Sequence, residues 1–157
     1  MVNNQYATLI NEVEKDIVGY INVPASQNAG QITYVEFAND PELPNVLEPY
    51  YLSPASIKSV LFGIYIDSVP MNIDGYLKFV ADDVDTNIVF GKLTPTYIGL
   101  QHPAEFDHEI ILLPNQKLKV KFIQATATTS EVSQTVHFRF VIAPASKKTI
   151  RIPSRSA

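Results

Sequence analysis

The stretch 118-LKVKFIQATATTSEVSQTVHFRFVI-142 decides the fold. Leu118, Val120 and Phe122 alternate with Lys119 and Lys121, and Lys117 precedes them in the same rhythm. Further on, Val136, Phe138, Phe140 and Ile142 alternate with Thr135, His137, Arg139 and Val141. A period of two sends successive side chains to opposite faces of an extended backbone. Each segment therefore reads as a strand with one buried and one wet side. Burying the four large side chains of the second strand contributes roughly 6–12 kcal/mol before entropy. The connecting ATATTSEVS holds small and hydroxylated residues with neither Gly nor Pro. The expectation is a hairpin of two paired strands.

Working outward, ITYVEF (32–37), SIKSVLFGIYI (56–66), YLKFVAD (76–82), NIVFGKL (87–93) and EIILLP (109–114) read as further strands, separated by turn-forming Asp, Asn, Gly and Pro. The nearly continuous apolar run 56–66 belongs at the centre of a sheet. Short strands are expected at 97–100 and 149–152. Residues 39–55 carry Pro41, Pro44, Pro49 and Pro54 and read as a long ordered excursion. Residues 6–21 show Leu9, Ile10, Val13, Ile17, Tyr20 and Ile21 at helical spacing, with Gly19 near the end, which predicts an amphipathic helix. The expected fold is mainly β: an antiparallel β-sandwich of jelly-roll type with one N-terminal helix. Its divisions are a helix and linker arm at 1–30, a sandwich at 31–143 and a basic C-terminal arm at 144–157.

A chain of 157 residues can bury a core without staples. It has no Cys, which removes disulfides, thiolate nucleophiles and Cys-ligated zinc together. The start MVNNQ is no signal peptide, and no run is apolar for long enough to span a membrane as a helix. The net charge of −4 conceals an asymmetry. Residues 1–116 hold 15 acids and 4 bases, whereas 117–157 hold 8 bases and one acid, Glu131. Two readings follow: the sets neighbour each other across strands, or the basic end meets an acidic partner.

Catalytic and metal motifs are sparse. Asp82, Asp83 and Asp85, with Asp74 nearby in sequence, are the best calcium candidates, but they lack the EF-hand pattern and read first as a solvated turn. His102, Asp107, His108 and Glu109 cluster in sequence without a zinc-protease spacing. His137 reads as a strand surface residue. No serine stands in a G-x-S-x-G elbow, and the absence of Trp argues against an aromatic sugar platform. The expectation is no enzyme, no cofactor and no metal.

The order of EIILLPNQKLKVKFIQATATTSEVSQTVHFRFVIA, a strand ending in Pro, a turn, an alternating strand, a Ser/Thr/Ala loop and a second alternating strand, resembles small β-sandwich accessory proteins of tailed-phage particles: decoration, cement, neck and tail components. The likeness covers the pattern of residues 56–143. It implies a virion structural protein, assembled in the host cytoplasm as a homo-oligomer, whose arms grip the major capsid protein or other virion subunits. Tyr50, Tyr51 and Leu52 are the expected hydrophobic anchors, with core packing as the competing role. Lys147, Lys148, Arg151 and Arg155 are expected to meet an acidic partner surface. The tail has no aromatic residue, which argues against nucleic acid. The alternative functions are a carbohydrate- or ligand-binding module assisted by calcium, and an enzyme built on the 102–109 loop.

Overall fold

The computed structural model describes residues 11–66, 74–91 and 104–153. The described residues run through nine strands: β1 (Val13–Val23), β2 (Ile32–Tyr34), β3 (Tyr51–Leu52), β4 (Ile57–Tyr65), β5 (Gly75–Ala81), β6 (Val84–Gly91), β7 (Ala104–Leu112), β8 (Lys117–Gln124) and β9 (Val132–Pro144). They form two sheets, ordered β1-β9-β4-β7 and β2-β8-β5-β6, with β3 also paired to β8. Every pairing is antiparallel. The inner faces of the two sheets meet in one core, which holds Phe79, Phe122, Phe138 and Phe140 fully buried. The expected burial of Leu118, Val120 and Phe122, and of Val136, Phe138, Phe140 and Ile142, is what the structure has.

The expected hairpin does not form. β8 pairs with β2, β3 and β5, whereas β9 pairs with β1 and β4. The two strands therefore belong to opposite sheets, and the loop at 125–131 arches from one to the other. Alternation states that a strand has a buried face; it does not name the neighbour. A tight two-residue hairpin turn favours Gly, Asn or Asp at positive φ, and this loop offers none of them.

The predicted helix at 6–21 is corrected from Val13 onwards. Residues 6–10 lie outside the described residues, and Val13–Val23 is a strand paired along its whole length with β9, from Val13 opposite Ile142 to Val23 opposite Val132. Val13, Ile17 and Ile21 are four apart, a spacing that fits one helix face and one strand face equally. The β-branched Val13, Ile17, Val18, Ile21 and Val23 favour the strand, and β9 supplies the partner. β1 is thus a member of the sandwich, and the boundary at residue 30 does not set an arm apart from it. Gly19 sits mid-strand rather than at a helix end. A Cβ there would fall 2.5 Å from Val35 Cγ1 and 2.6 Å from a Phe138 ring carbon.

Three further differences concern boundaries. β7 begins at Ala104, inside the stretch read as loop. Residues 149–152 are not strand. The expected strand at 97–100 lies outside the described residues.

One lateral side of the sandwich is closed. Residues 35–37 leave β2, with Val35 N–H donating to Val120 O, and cross to β1, where Tyr20 and Glu36 exchange backbone bonds of 2.9 and 2.8 Å. On the other lateral side, β6 and β7 each have a single neighbour among the described strands. A cleft of about 670 Å3 lies between them, lined by Ile88, Val89, Phe106 and Ile110 among others.

Aromatic rings tie the layers together. Phe106 meets Phe79 edge-on at 5.4 Å, Phe79 meets Phe138 at 6.3 Å and Phe138 meets Phe37 at 5.1 Å. Phe37 meets Tyr51 at 6.0 Å, and Tyr51 stacks on Phe140 at 4.5 Å. Phe138→Ala is expected to cost about 3–5 kcal/mol, because it opens a cavity in the middle of this row. Gly19→Ala should cost about 1–3 kcal/mol by overpacking. Gly30→Ala meets no atom within 4 Å and strains only its own φ of 88°. Urea unfolding of the three variants checks the ranking; a Gly19→Ala protein as stable as the parent would contradict this packing.

Candidate interaction surfaces

On the outer face of the β1 sheet, the acids of β1 meet the bases of β9 and the tail. Arg139 Nη2 lies 3.4 Å from Glu14 Oε1, and His137 Nδ1 lies 3.1 Å from Asp16 Oδ1. The Tyr65 hydroxyl donates to Asp16 Oδ2, and its ring stacks on His137 at 4.5 Å and 8°. Arg139 also sits 4.8 Å from the centroid of Phe62. Phe62 reaches this face because the β4 register shifts between Leu61 and Gly63, which leaves both Leu61 and Ile64 for the core. These contacts realise the first reading of the charge asymmetry: the N-terminal acids and C-terminal bases are cross-strand neighbours.

The tail continues the pattern. The chain turns at Ala145, whose N–H donates to Ser56 O at 3.0 Å, and Lys58 Nζ donates to Lys147 O at 3.1 Å. Lys147 Nζ lies 3.2 Å from Glu12 Oε2, and Arg151 Nε lies 2.7 Å from Glu12 Oε1. Ile150 and Ile152 line a small cleft with Lys58, Val60 and Ile111. Two of the four predicted partner-binding bases are thus engaged at home. Lys148 is exposed, and Arg155 lies outside the described residues. Sequence reasoning missed Glu12 as the tail's partner. The signal was Glu12, Glu14 and Asp16 at period two, legible once 13–23 is read as a strand.

Tyr50, Tyr51 and Leu52 separate. Tyr51 goes to the core, 6% exposed, and its hydroxyl lies 3.1 Å from Ser59 Oγ, which in turn lies 2.9 Å from Ser53 Oγ. Tyr50 is half-buried at the surface. It donates to Glu48 Oε2, and Lys117 Nζ sits 4.4 Å from its ring centroid. The hydrogen bond to Glu48 is the main cause that raises the Tyr50 phenol pKa. Leu52 is half-buried, and its N–H donates to Asn39 Oδ1 at 2.9 Å. Asn39 Nδ2 donates to Tyr50 O at 2.9 Å. Phe37 and Glu48 exchange backbone bonds of 2.8 and 2.9 Å. These contacts pin the neck of the Pro-rich excursion. Its tip exposes Leu43 and Val46, 51% and 54% accessible, which the sequence reading did not single out.

The acidic turn is a hairpin device. Asp82 and Asp83 take φ of 47° and 64° between the paired Ala81 and Val84, the backbone of a two-residue turn with both central residues left-handed. Aspartate tolerates that region. Asp82 Oδ2 accepts from Gln116 Nε2 at 3.0 Å, Asp83 lies 3.5 Å from Lys119, and Asp85 lies 3.6 Å from Lys78. The Asn87 N–H is the main cause that lowers the Asp85 carboxyl. Among the described residues no group of three or more His, Asp or Glu is placed to hold a metal. His108 is exposed and Glu109 half-buried on β7; His102 and the Asp107 side chain lie outside the described residues.

No protein-family model matches the chain, and no curated protein sequence matches it.

Two outcomes are expected. The Arg151 guanidinium, a backbone hydrogen bond and the Lys147 ammonium hold the Glu12 carboxyl down from 4.5 to about 2, against the opposing effect of burial. The folded value is depressed, so the tail contact contributes fully above the unfolded value and is lost as pH falls towards 2. Side-chain NMR should find Glu12 titrating near that value. Glu12→Gln should speed exchange of the hydrogen-bonded Ala145 and Lys147 amides by about fivefold or more, with little change in global stability. For the turn, Asp83→Gly should leave stability within about 0.5 kcal/mol or raise it, since glycine suits this φ. A melting temperature that rises with calcium in the parent and not in Asp83→Gly would instead make the turn a metal site.

Proposed function

We propose that this chain is a non-enzymatic structural protein of a viral (phage) particle, built on a jelly roll. The strand order carries the reading. β2 and β3 pair with the same side of β8, at Ile123–Lys121 and at Leu118–Lys117, and so act as one interrupted edge strand. Counted that way, eight strands make two four-stranded sheets in the orders 1-8-3-6 and 2-7-4-5. This interleaving supports a double Greek key, the arrangement that recurs in capsid subunits and lectin domains. A fold is not a function, so the choice between them rests on surfaces. Phenylalanine rings and aliphatic side chains fill the middle of the space between the sheets, and the cleft between β6 and β7 opens at one side only. The acids that would bring calcium to a glycan are engaged by lysines and an amide. What the chain does present is a pinned loop with exposed apolar residues, and a tail strapped to the body by ion pairs that a partner's charges can replace. Both suit contacts between subunits.

In this reading Tyr50 and Leu52 flank the contact, Lys148 and Arg155 extend it, and the major capsid protein or another virion subunit is the partner. Mass spectrometry of density-purified particles from lysed host cells should find the chain at many copies per particle. Recovery of the chain only in the particle-free fraction would reject the proposal.

A further inference from the structure

Two surfaces of this chain complement each other. The first is the tip of the 38–50 excursion. Asp40 Oδ1 accepts from Glu42 N–H at 2.9 Å, Asp40 O accepts from Leu43 N–H at 2.9 Å, and Leu43 O accepts from Val46 N–H at 3.1 Å. Pro41, Pro44 and Pro49 restrict the loop further. The tip is therefore pre-organised and loses little entropy on docking. It carries Leu43 and Val46 exposed beside Asp40 and Glu42, and residues 38–50 contain no base.

The second surface is the outer face of the β8 sheet. Register places Ile32, Ile123 and Tyr76 in one row, and Tyr34, Lys121, Lys78 and Val89 in the next. Ile32, Tyr34 and Val89 are 49%, 40% and 50% exposed. Lys78 and Lys119 have Asp85 and Asp83 beside them, whereas Lys121 has no acid within 4 Å among the described residues, and its charge reaches Asp85 only from farther off. This face is apolar and basic; the loop tip is apolar and acidic.

We propose that a second copy of this chain docks its 40–46 tip on the outer face of the β8 sheet, with Leu43 and Val46 against the exposed Ile32 and Tyr34 and the tip's acids towards Lys121. Charge complementarity selects this occupant. A nucleic-acid strand needs a series of free cations, and here two of the four lysines are already neutralised and Lys117 lies over Tyr50. Because the two surfaces differ, one contact joins copies head to tail, and a reciprocal pair closes a two-fold dimer. The proposal deepens the structural-protein reading and rests on it for its place in a particle. Self-association is measured without any particle, so the two fail separately.

The test is sedimentation of the purified full chain over a concentration series at low and high salt. The parent should self-associate, more weakly in high salt. Glu42→Lys and Lys121→Glu should each weaken association about tenfold or more, and the double variant should recover most of it. Leu43→Ser with Val46→Ser should abolish association at either salt. All these positions are on the surface, so circular dichroism should give unchanged melting. A parent that stays monomeric to millimolar concentration, or association indifferent to both charge reversals, overturns the proposal. So does a labelled single-stranded oligonucleotide that binds through Lys121 while the protein remains monomeric.

Discussion

The row of rings from Phe106 through Phe79, Phe138, Phe37 and Tyr51 to Phe140 is the constraint on which the rest of the structure depends. It draws its members from both sheets and from the crossing segment at 35–37. Rings meeting edge to face add specific geometry to the area they bury, so they fix how the sheets lie as well as that they meet. Phe138 touches two of the other rings, and Gly19 on β1 leaves the space its ring needs. A side chain at Gly19 would push β1 away from the crossing segment, and the closed side of the sandwich would open.

That packing sets where the surfaces fall. With Ile17, Gly19, Ile21 and Val23 turned inward, Glu14 and Asp16 must face out, opposite the polar face of β9. The acids of the first strand and the bases of the last are then neighbours by register alone, and Glu12 meets the tail by the same alternation. Ion pairs that keep one partner open to water, as these do, contribute little to stability. Their consequence is positional: they strap 145–153 against the body with contacts that are easily exchanged. The same alternation on β5 and β8 puts lysines and apolar residues together on the opposite outer face, while the interrupted edge strand throws the Pro-rich loop out beside it.

Much of this was legible in the sequence. The strand at 76–82 and the two within 118–142, with their buried faces, follow from alternation, the strand at 56–66 follows from its apolar run, and the neighbouring of opposite charges was one of two readings of the charge asymmetry. Other features were ambiguous for stated reasons. Val13, Ile17 and Ile21 satisfy both periods. Tyr50 and Tyr51 are adjacent tyrosines with opposite fates, because in an extended segment neighbouring side chains point to opposite faces. The Asp82–Asp83 pair reads in sequence first as a solvated turn and second as a cation site, and its backbone angles give the turn its type.

By itself, then, the sequence determined that the chain is mainly extended, which face of the clearest strands is apolar, and that the acids and bases are segregated along the chain. These are local properties, set by residue type and spacing. The tertiary structure alone decided which strand lies beside which, that β8 and β9 belong to different layers, and that β1 is a strand completing a sheet. Pairing is a contact between residues far apart in the chain. Two strands with the same alternation offer the same hydrogen bonds to any neighbour, and the choice falls to the packing of the whole core.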